Sequence, residues 1–276
     1  MKEEKRQREE AAIECRQVRY SHRKKEILKG IDFRVRSGEI TVLLGKNGSG
    51  KTTLFRCIAG IRRLTGGEVR LEGRSLQEMK AAERSRRIAM MPQSLPLLHI
   101  RVDELVEMGR SPYLGFGGKL SERDRAIVQR ALRLTDMERL ASEAVKTLSG
   151  GERQLAYLAM VLAQDAKLLL FDEPTASLDT EYRSRVYTIL RQLREEGYAL
   201  AVTMHDLNDA LAIADRIVVL ENGDKVFDAT AAEFAQSDLP ERIFGQETVT
   251  ATSKRGERVT MFRPLSEEKE SGHKRI

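Results

Sequence analysis

The segment Gly45–Thr53 combines glycines, a lysine and hydroxyl side chains in the order expected of a phosphate-binding loop. Its spacing matches the pattern G-x-x-x-x-G-K-[ST], in which glycines let backbone N–H groups point at phosphate oxygens. In that pattern Lys51 reaches the β- and γ-phosphates, and the hydroxyl of Thr52 ligates Mg²⁺. The loop therefore predicts a site for a nucleoside triphosphate with Mg²⁺. The residues expected to contact the nucleotide in this loop are Gly45, Lys46, Asn47, Gly48, Ser49, Gly50, Lys51, Thr52 and Thr53.

Two adjacent acids, Asp172 and Glu173, follow the continuous apolar run Leu168–Phe171. A carboxylate at the end of a buried strand can hold the Mg²⁺ shell, which predicts Asp172 as a metal ligand. A second carboxylate beside it can orient or deprotonate a water for in-line attack on the γ-phosphorus, which predicts a catalytic role for Glu173. Alternatively, the two acids only open a loop before Pro174. Their pairing with Lys51 favours the catalytic interpretation.

A second anion-binding feature is indicated by the segment Leu148–Glu152. Ser149 and Glu152 have the S-x-x-E spacing of a capping box, which by itself would start a helix over Arg153–Ala163. A capping box does not require two consecutive glycines, and glycines disfavour the helix that follows because glycine is a poor helix former. Glycines leave backbone N–H groups bare at the positive end of a helix, which suits a phosphate arriving from outside. The two interpretations are compatible.

The elements that must position these groups alternate between strands and helices. The apolar run Ile40–Leu44 predicts a strand buried on both faces, and a helix is expected from Lys51 to Gly60. Apolar residues at helical spacing predict helices at Val102–Met108 and Arg123–Leu134. Further strands are expected at Ile13–Val18, Ile31–Val35, Val69–Leu71, Ile88–Met90, Leu168–Phe171, Ala199–Thr203, Ile217–Leu220 and Lys225–Phe227, and further helices at Arg183–Leu193 and Asp206–Ile213.

Together these elements predict an α/β fold with a mostly parallel sheet around the phosphate-binding loop. The core carries an antiparallel β portion near the N-terminus and an inserted α-helical subdomain at about residues 94–165. The expected division of the chain is a charged N-terminal segment at 1–12, the main domain at 13–250 and a C-terminal strand and tail at 251–276.

Composition narrows the class of protein. The 276 residues carry 48 Lys and Arg against 42 Asp and Glu, a net charge of +6, and include two cysteines. These values exclude a fibrous chain, a disulfide scaffold and a long disordered chain. No apolar run approaches the ~20 residues that cross a bilayer, and the charged start lacks a secretory apolar region, so we expect a cytoplasmic protein that reaches a membrane through a partner. Because basic residues are interleaved with acids, as at Glu83–Arg87, no nucleic-acid partner is expected.

With these motifs in order, the chain resembles the ATP-binding subunits of ATP-binding cassette (ABC) transporters over about residues 13–230. The glycine-containing capping-box segment is similar to the signature of that family. Gln93 matches its Q-loop, Asp179 its D-loop and His205 its switch histidine, while Tyr20 stands where these proteins place an aromatic ring against adenine. The resemblance therefore covers most of the chain and rests on several independent motifs.

The resemblance implies a P-loop NTPase core of the RecA-like type, and it implies a role for each of these residues. Tyr20 would stack on the base, Gln93 would contact Mg²⁺ or the attacking water, and His205 would bond to the γ-phosphate. It also implies hydrolysis of ATP to ADP and phosphate in a head-to-tail homodimer, in which the signature of one subunit closes on the ATP held by Lys51 of the other. The further residues implied to bind the nucleotide are Ser149, Gly150, Gly151, Glu152 and Asp179, and of these Ser149 and Gly151 would close on the ATP of the other subunit. The implied catalytic residues are Glu173, His205 and Gln93, and the implied Mg²⁺ ligands are Thr52, Gln93 and Asp172.

Two further segments, Val106–Tyr113 and Met204–Ala210, resemble importers of ferric siderophores, haem and cobalamin. This resemblance implies separate transmembrane permease subunits, an extracellular solute-binding protein that acts indirectly, and a peripheral place on the cytoplasmic face of the membrane. We expect a ferric siderophore as cargo, with haem or cobalamin as alternatives.

Three other functions remain as alternatives. A soluble ABC ATPase acting on nucleic acid or ribosomes usually carries two cassettes or a long coiled coil. A P-loop kinase or GTPase would lack the signature. A non-enzymatic nucleotide-binding scaffold would be expected to lack the carboxylate of Glu173.

One position departs from the pattern of the family. Leu155 stands where members often have an arginine. It shares an apolar helix face with Leu158, Ala159 and Leu162, so we expect it to be buried.

Overall fold

A computed structural model describes residues 11–115, 118–176, 178–252, 256 and 258–265. The charged segment predicted at 1–12 lies outside these residues except for its last two, which begin the first strand. Of the strand and tail predicted at 251–276, residues 266–276 also lie outside the described residues.

The strands fall into two main sheets and one hairpin within the described residues. In chain order they are β1 (Ala11–His22), β2 (Lys25–Arg36), β3 (Glu39–Leu44), β4 (Gly66–Leu71), β5 (Arg74–Ser75), β6 (Ile88–Met91), β7 (Leu168–Asp172), β8 (Ala199–Thr203), β9 (Arg216–Glu221), β10 (Asp224–Thr230), β11 (Gln246–Thr252) and β12 (Arg258–Pro264). The central sheet has the order β10-β9-β3-β8-β7-β6, and its strands are parallel except for β10, which forms a hairpin with β9. The mostly parallel core is as predicted.

The antiparallel portion near the N-terminus is also confirmed, as a sheet with the order β2-β1-β4-β5. Its first two strands are longer than predicted. In β2 the buried residues Ile31, Phe33 and Val35 alternate with exposed ones, but the strand continues through charged residues at both ends. Backbone pairing therefore extends β1 and β2 beyond the residues that carry the apolar signal.

The helices cover the central sheet and form the insert. In chain order they are α1 (Lys51–Ile58), α2 (Ala81–Ser85), α3 (Val102–Met108), α4 (Glu122–Leu134), α5 (Gly150–Ala163), α6 (Thr180–Glu195), α7 (Leu207–Ile213), α8 (Ala231–Gln236) and α9 (Leu239–Phe244), with single 3₁₀ turns at Leu76–Glu78, Ser111–Tyr113, Glu138–Leu140 and Val145–Thr147. Helices α3, α4 and α5 form the predicted helical insert. Leu155 on α5 is buried as expected. None of the described helices combines the length and the apolar character required to span a membrane.

A buried ion pair ties the parts of the insert together. The Arg110 guanidinium donates to Asp124 Oδ1 and to the Ala163 carbonyl, at 2.8 Å each, and lies 3.9 Å from the ring centre of Tyr113. Ser121, which caps α4, donates its backbone N–H and its hydroxyl to the second oxygen of Asp124. The bonds from Ser121, followed by the charge and hydrogen bond of Arg110, lower the pKa of Asp124 to about 2.

Replacing Asp124 by asparagine is expected to lower the free energy of unfolding by about 3–5 kcal/mol, because Arg110 would keep a buried charge without its partner. The folded-state pKa lies below that of a free carboxyl, so the wild-type protein should lose this stabilisation as the pH falls from about 4 toward 2, and the variant should not. Urea denaturation at pH 7 and pH 3 measures both effects. Glu122→Gln, an exposed change on the same helix, is the control. Equal stability of the two variants at pH 7 would contradict the expectation.

Sequence reasoning did not anticipate helices α8 and α9, which link the core to the C-terminal hairpin. Phe234 on α8 is fully buried and makes edge-to-face contacts with Phe227, Phe244 and Phe262, at ring-centre distances of 5.6, 6.4 and 5.8 Å. A T-x-x-E capping box at Thr230 is the signal that would have indicated α8. The boundary expected at residue 250 falls inside β11, and the division of the chain into domains stays a prediction.

Both cysteines are free and buried. Cys15 lies on β1 and Cys57 on α1, in the apolar cluster between the antiparallel sheet and the core. Burial raises the pKa of Cys57 to about 12 and also raises that of Cys15. Neither thiol therefore has thiolate character at neutral pH.

Candidate nucleotide site

Three adjacent parallel strands bring the predicted site residues to one edge of the central sheet. Strand β3 leads into the phosphate-binding loop, β7 ends at Asp172, and β8 ends at Thr203, two residues before His205. The register pairs Leu43 with Thr203 and Thr203 with Asp172. Because parallel strands end at the same edge, residues far apart in sequence meet here.

The loop itself is held by close backbone packing. Gly45 has a φ of 150°, and a Cβ at this position would lie 2.3 Å from the Leu220 carbonyl oxygen, so no larger residue fits. The Lys51 ammonium donates to the Gly45 carbonyl at 2.7 Å and to that of Lys46 at 3.4 Å. Burial lowers the pKa of Lys51, and the nearby carboxylates of Glu173 and Asp172 oppose that shift. The Lys51 ammonium is thus a buried positive charge that faces the loop, and an anion bound in the loop would be neutralised by it.

The oxygen atoms beside the loop fit a hard divalent cation. Thr52 Oγ1 donates to Asp172 Oδ1 at 3.1 Å, and Thr203 Oγ1 donates to the same oxygen at 2.8 Å. Asp172 Oδ2 and the Ser49 hydroxyl are buried and have no hydrogen-bond partner among the described residues. Since buried polar atoms are normally satisfied, these two oxygens indicate a missing ligand. Carboxylate and hydroxyl oxygens are what Mg²⁺ and its bound waters prefer.

The three predicted catalytic side chains meet beside this oxygen cluster. Gln93 Nε2 donates to Glu173 Oε2 at 2.6 Å, and His205 Nε2 contacts Glu173 Oε1. A cavity of about 190 Å³ opens next to them, and its lining includes Thr175, Arg183 and Asp209. The carboxylate of Glu173 therefore faces a space large enough for water molecules, with a donor on either side.

The signature segment behaves as a helix cap with an additional packing role. The Ser149 hydroxyl accepts from the Glu152 N–H and Glu152 accepts from the Ser149 N–H, which confirms the predicted capping box. Gly150 has open space where a Cβ would stand, whereas a Cβ on Gly151 would lie 2.3 Å from the ring of Tyr182. The second glycine is therefore required for the packing of α5 against α6, a reason that sequence alone did not give.

Asp179 caps α6, where its carboxylate accepts from the Tyr182 N–H at 3.0 Å. Among the described residues, no hydrogen bond or ion pair joins Asp179 or the signature segment Ser149–Glu152 to the phosphate-binding loop. Within the described part of one chain, therefore, Asp179 and the signature segment do not bond to the loop that carries Lys51.

Tyr20 lies on β1 opposite Leu28 and is 9% exposed. It belongs to the apolar cluster of the antiparallel sheet, so most of its surface is occupied by packing. Ordinary packing accounts for its burial, and stacking on adenine stays a prediction.

Thr203 is a site residue that sequence reasoning missed. Besides donating to Asp172, its hydroxyl accepts the backbone N–H of Glu173 at 2.9 Å, which places it between the two acids. The signal was a lone polar residue at the end of the apolar strand β8, two residues before His205.

Comparison with known proteins finds similar sequences and a similar fold. A family model described as ABC transporter matches residues 28–176. Petrobactin import ATP-binding protein FpuC of Bacillus anthracis is 36% identical over 237 residues, which cover 85% of this chain and 87% of the relative. Hemin import ATP-binding protein HmuV of Streptomyces coelicolor is 40% identical over 221 residues, which cover 80% and 75%. A solved chain of a metal-chelate type ABC transporter in an inward-facing conformation superposes with a TM-score of 0.82 at 25% identity, covering 94% of this chain and 99% of that one.

Proposed function

The chain belongs to the ABC transporter family, and we propose from this premise that it is the ATP-hydrolysing subunit of an importer that takes up a ferric siderophore. Subunits of this kind bind and hydrolyse ATP and work with transmembrane permeases, typically as dimers. The observation that carries the ATP-hydrolysing part of the proposal is the meeting of Lys51, Asp172, Glu173, Gln93 and His205 at one edge of the sheet. The siderophore part is supported by the 36% identity to the petrobactin import protein.

In this proposal the phosphate-binding loop orients ATP for hydrolysis. The Lys51 ammonium exchanges its loop carbonyls for phosphate oxygens, which holds the γ-phosphate beside Glu173. Thr52, Asp172 and Gln93 would hold Mg²⁺. Bound Mg²⁺ supplies neutralisation of the charge that develops on the phosphate oxygens.

The carboxylate of Glu173 positions the attacking water and takes its proton as the water oxygen bonds to the γ-phosphorus. The bond between the γ-phosphorus and the β,γ-bridging oxygen breaks, so that ATP and water give ADP and phosphate. Gln93 and His205 already contact the two oxygens of Glu173, and each can turn to a water or phosphate oxygen when the site is filled.

The second half of each site would come from another copy of the chain. Ser149 and Gly150 present a capped helix end with open space at Gly150, yet neither bonds to the loop of its own chain. A helix N-terminus favours a phosphate, so a head-to-tail homodimer would complete both sites. Glu152 and Asp179 would stabilise the helix ends that meet the partner.

The permease is proposed to dock on the helical insert and the segment after Gln93. Large apolar side chains are exposed there: Leu97 is 61% exposed and Met108 at the end of α3 is 52% exposed. Exposed apolar residues on the insert and four residues after Gln93 suit a protein partner whose movement must reach the catalytic groups.

The transport proposal is tested by uptake of ⁵⁵Fe-labelled siderophore in cells that lack this chain. Uptake should return with the wild-type protein. With Met108→Glu it should be at least about tenfold lower than with the wild-type protein, because the permease would bury an unpaired charge at the docking surface. The purified variant should still bind ATP. Val259→Glu, an exposed apolar position on β12, is the control and should restore uptake.

A haem importer is the second candidate, favoured by the 40% identity to the hemin import protein. Loss of labelled haem uptake with intact siderophore uptake would establish this alternative. If deletion affects neither uptake, the importer proposal is wrong.

A further inference from the structure

The backbone of Glu173 adopts a conformation that a glutamate does not choose by itself. Its φ is 56°, in the left-handed region, which is uncommon for residues other than glycine. Such a conformation persists only where the surroundings determine it, and it occurs preferentially at functional sites. The groups that hold this backbone therefore decide where the carboxylate of Glu173 points.

Two side chains from different elements hold the backbone on either side of that residue. On the N-terminal side, the Thr203 hydroxyl accepts the N–H of Glu173 at 2.9 Å. On the C-terminal side, Gln154 Nε2 donates to the Pro174 carbonyl at 2.5 Å. The turn between them is closed by the Ala176 N–H, which donates to the Glu173 carbonyl at 3.2 Å.

Gln154 comes from α5, the helix that begins at Ser149. Its side chain is half-buried, so its hydrogen bond to the loop after β7 is partly shielded from competing water. Among the described hydrogen bonds, it is the one that joins the side chains of α5 to the loop carrying Glu173.

We propose that Gln154 is a positioning residue for ATP hydrolysis, which fixes the Pro174 carbonyl and thereby keeps the Glu173 carboxylate at its Gln93 and His205 contacts. This inference rests on the proposed ATPase function. Gln154 touches neither nucleotide nor water; it acts through the backbone of the loop.

The test is Gln154→Glu, which keeps the shape of the side chain but replaces the amide donor by a carboxylate that cannot donate to Pro174. A small displacement of a catalytic group can cost up to about 10²-fold in rate, so we expect kcat to fall at least about tenfold while KM for ATP and ATP affinity change less than about twofold. Gln154→Lys restores a donor and should recover most of kcat. Gln129→Glu makes the same chemical change at an exposed position of α4 and should match the wild type.

Hydrogen exchange gives a second measurement that does not depend on turnover. In Gln154→Glu the Ala176 amide should exchange at least about tenfold faster, whereas amides of the β3–β8 pairing should be unchanged. This pattern also separates a local effect from general unfolding of the variant.

The outcomes separate the two proposals. If the wild-type protein does not hydrolyse ATP, the proposed function fails. If it does and Gln154→Glu keeps the wild-type kcat, or lowers ATP affinity at constant kcat, the positioning role of Gln154 is overturned. Equal loss in Gln154→Glu and Gln154→Lys would likewise overturn it, because it would show that packing and not the donated hydrogen bond matters.

Discussion

ATP turnover is expected to fall at least about 100-fold when Glu173 is replaced by glutamine, while ATP binding is retained. The carboxamide has the size of the carboxylate and can still accept from Gln93, so the pocket should keep its shape. It cannot take a proton from the attacking water. The binding loop is separate from this change, so Lys51 and Thr52 should hold ATP as before. Phosphate release and fluorescent-nucleotide binding measure the two quantities.

The same variant reports on the proposed dimer. If hydrolysis is what allows the closed dimer to reopen, Glu173→Gln with ATP and Mg²⁺ should elute as a dimer in size-exclusion chromatography, and the wild-type protein should elute mainly as a monomer. Adding Ser149→Arg to the variant should abolish this dimer, because a bulky cation would occupy the helix end proposed to meet the partner's ATP. Near-normal turnover of Glu173→Gln would show that another group handles the water. A dimer that survives Ser149→Arg would contradict the composite site.

Lys51→Ala should weaken ATP binding by about 10- to 100-fold, which corresponds to the loss of charge-assisted hydrogen bonds worth about 1.5–3 kcal/mol. The ammonium of Lys51 is buried in the wild-type protein, and that burial lowers its pKa. A bound phosphate places a negative charge beside it and therefore stabilises the buried ammonium. Isothermal titration with ATP measures the effect. The variant should fold normally, because alanine is compatible with the first turn of α1.

Lys24→Ala is the matched control, since Lys24 is an exposed lysine in the turn between β1 and β2. It also removes one positive charge, but at a position outside the loop. ATP affinity should stay within about twofold of the wild-type value, as expected for a screened surface charge. Unchanged ATP affinity in Lys51→Ala would contradict the assignment of the phosphate-binding loop.

The positions of the loop and the acids could be predicted because their chemistry is local. The glycine spacing before Lys51 specifies where backbone amides point, and the apolar run before Asp172 specifies a buried strand that ends at the site. Parallel strands then bring these two segments to one edge without further information. For the same reason, the central sheet and the helical insert were predicted with bounds that differ by a few residues.

The remaining features depend mainly on contacts between elements, for which the sequence carries at most an isolated local signal. The sequence indicates that Gly151 is unusual in a helix, but only the packing of Tyr182 against it explains why. Thr203 and Gln154 act on the backbone around Glu173 from segments 30 and 20 residues away. The C-terminal helices were missed, although a capping box precedes α8, because the aromatic residues that pack around Phe234 are not periodic in sequence.

The burial of Cys15 and Cys57 has a practical consequence for following this protein at work. Since maleimides react with exposed thiolates, the folded wild-type chain should accept almost no label at pH 7. A cysteine introduced at the exposed Arg125 of α4 would then be the reactive thiol of the chain, without removal of the native pair. Spin labels at that position would allow the separation of two subunits to be followed through successive cycles of nucleotide loading and release.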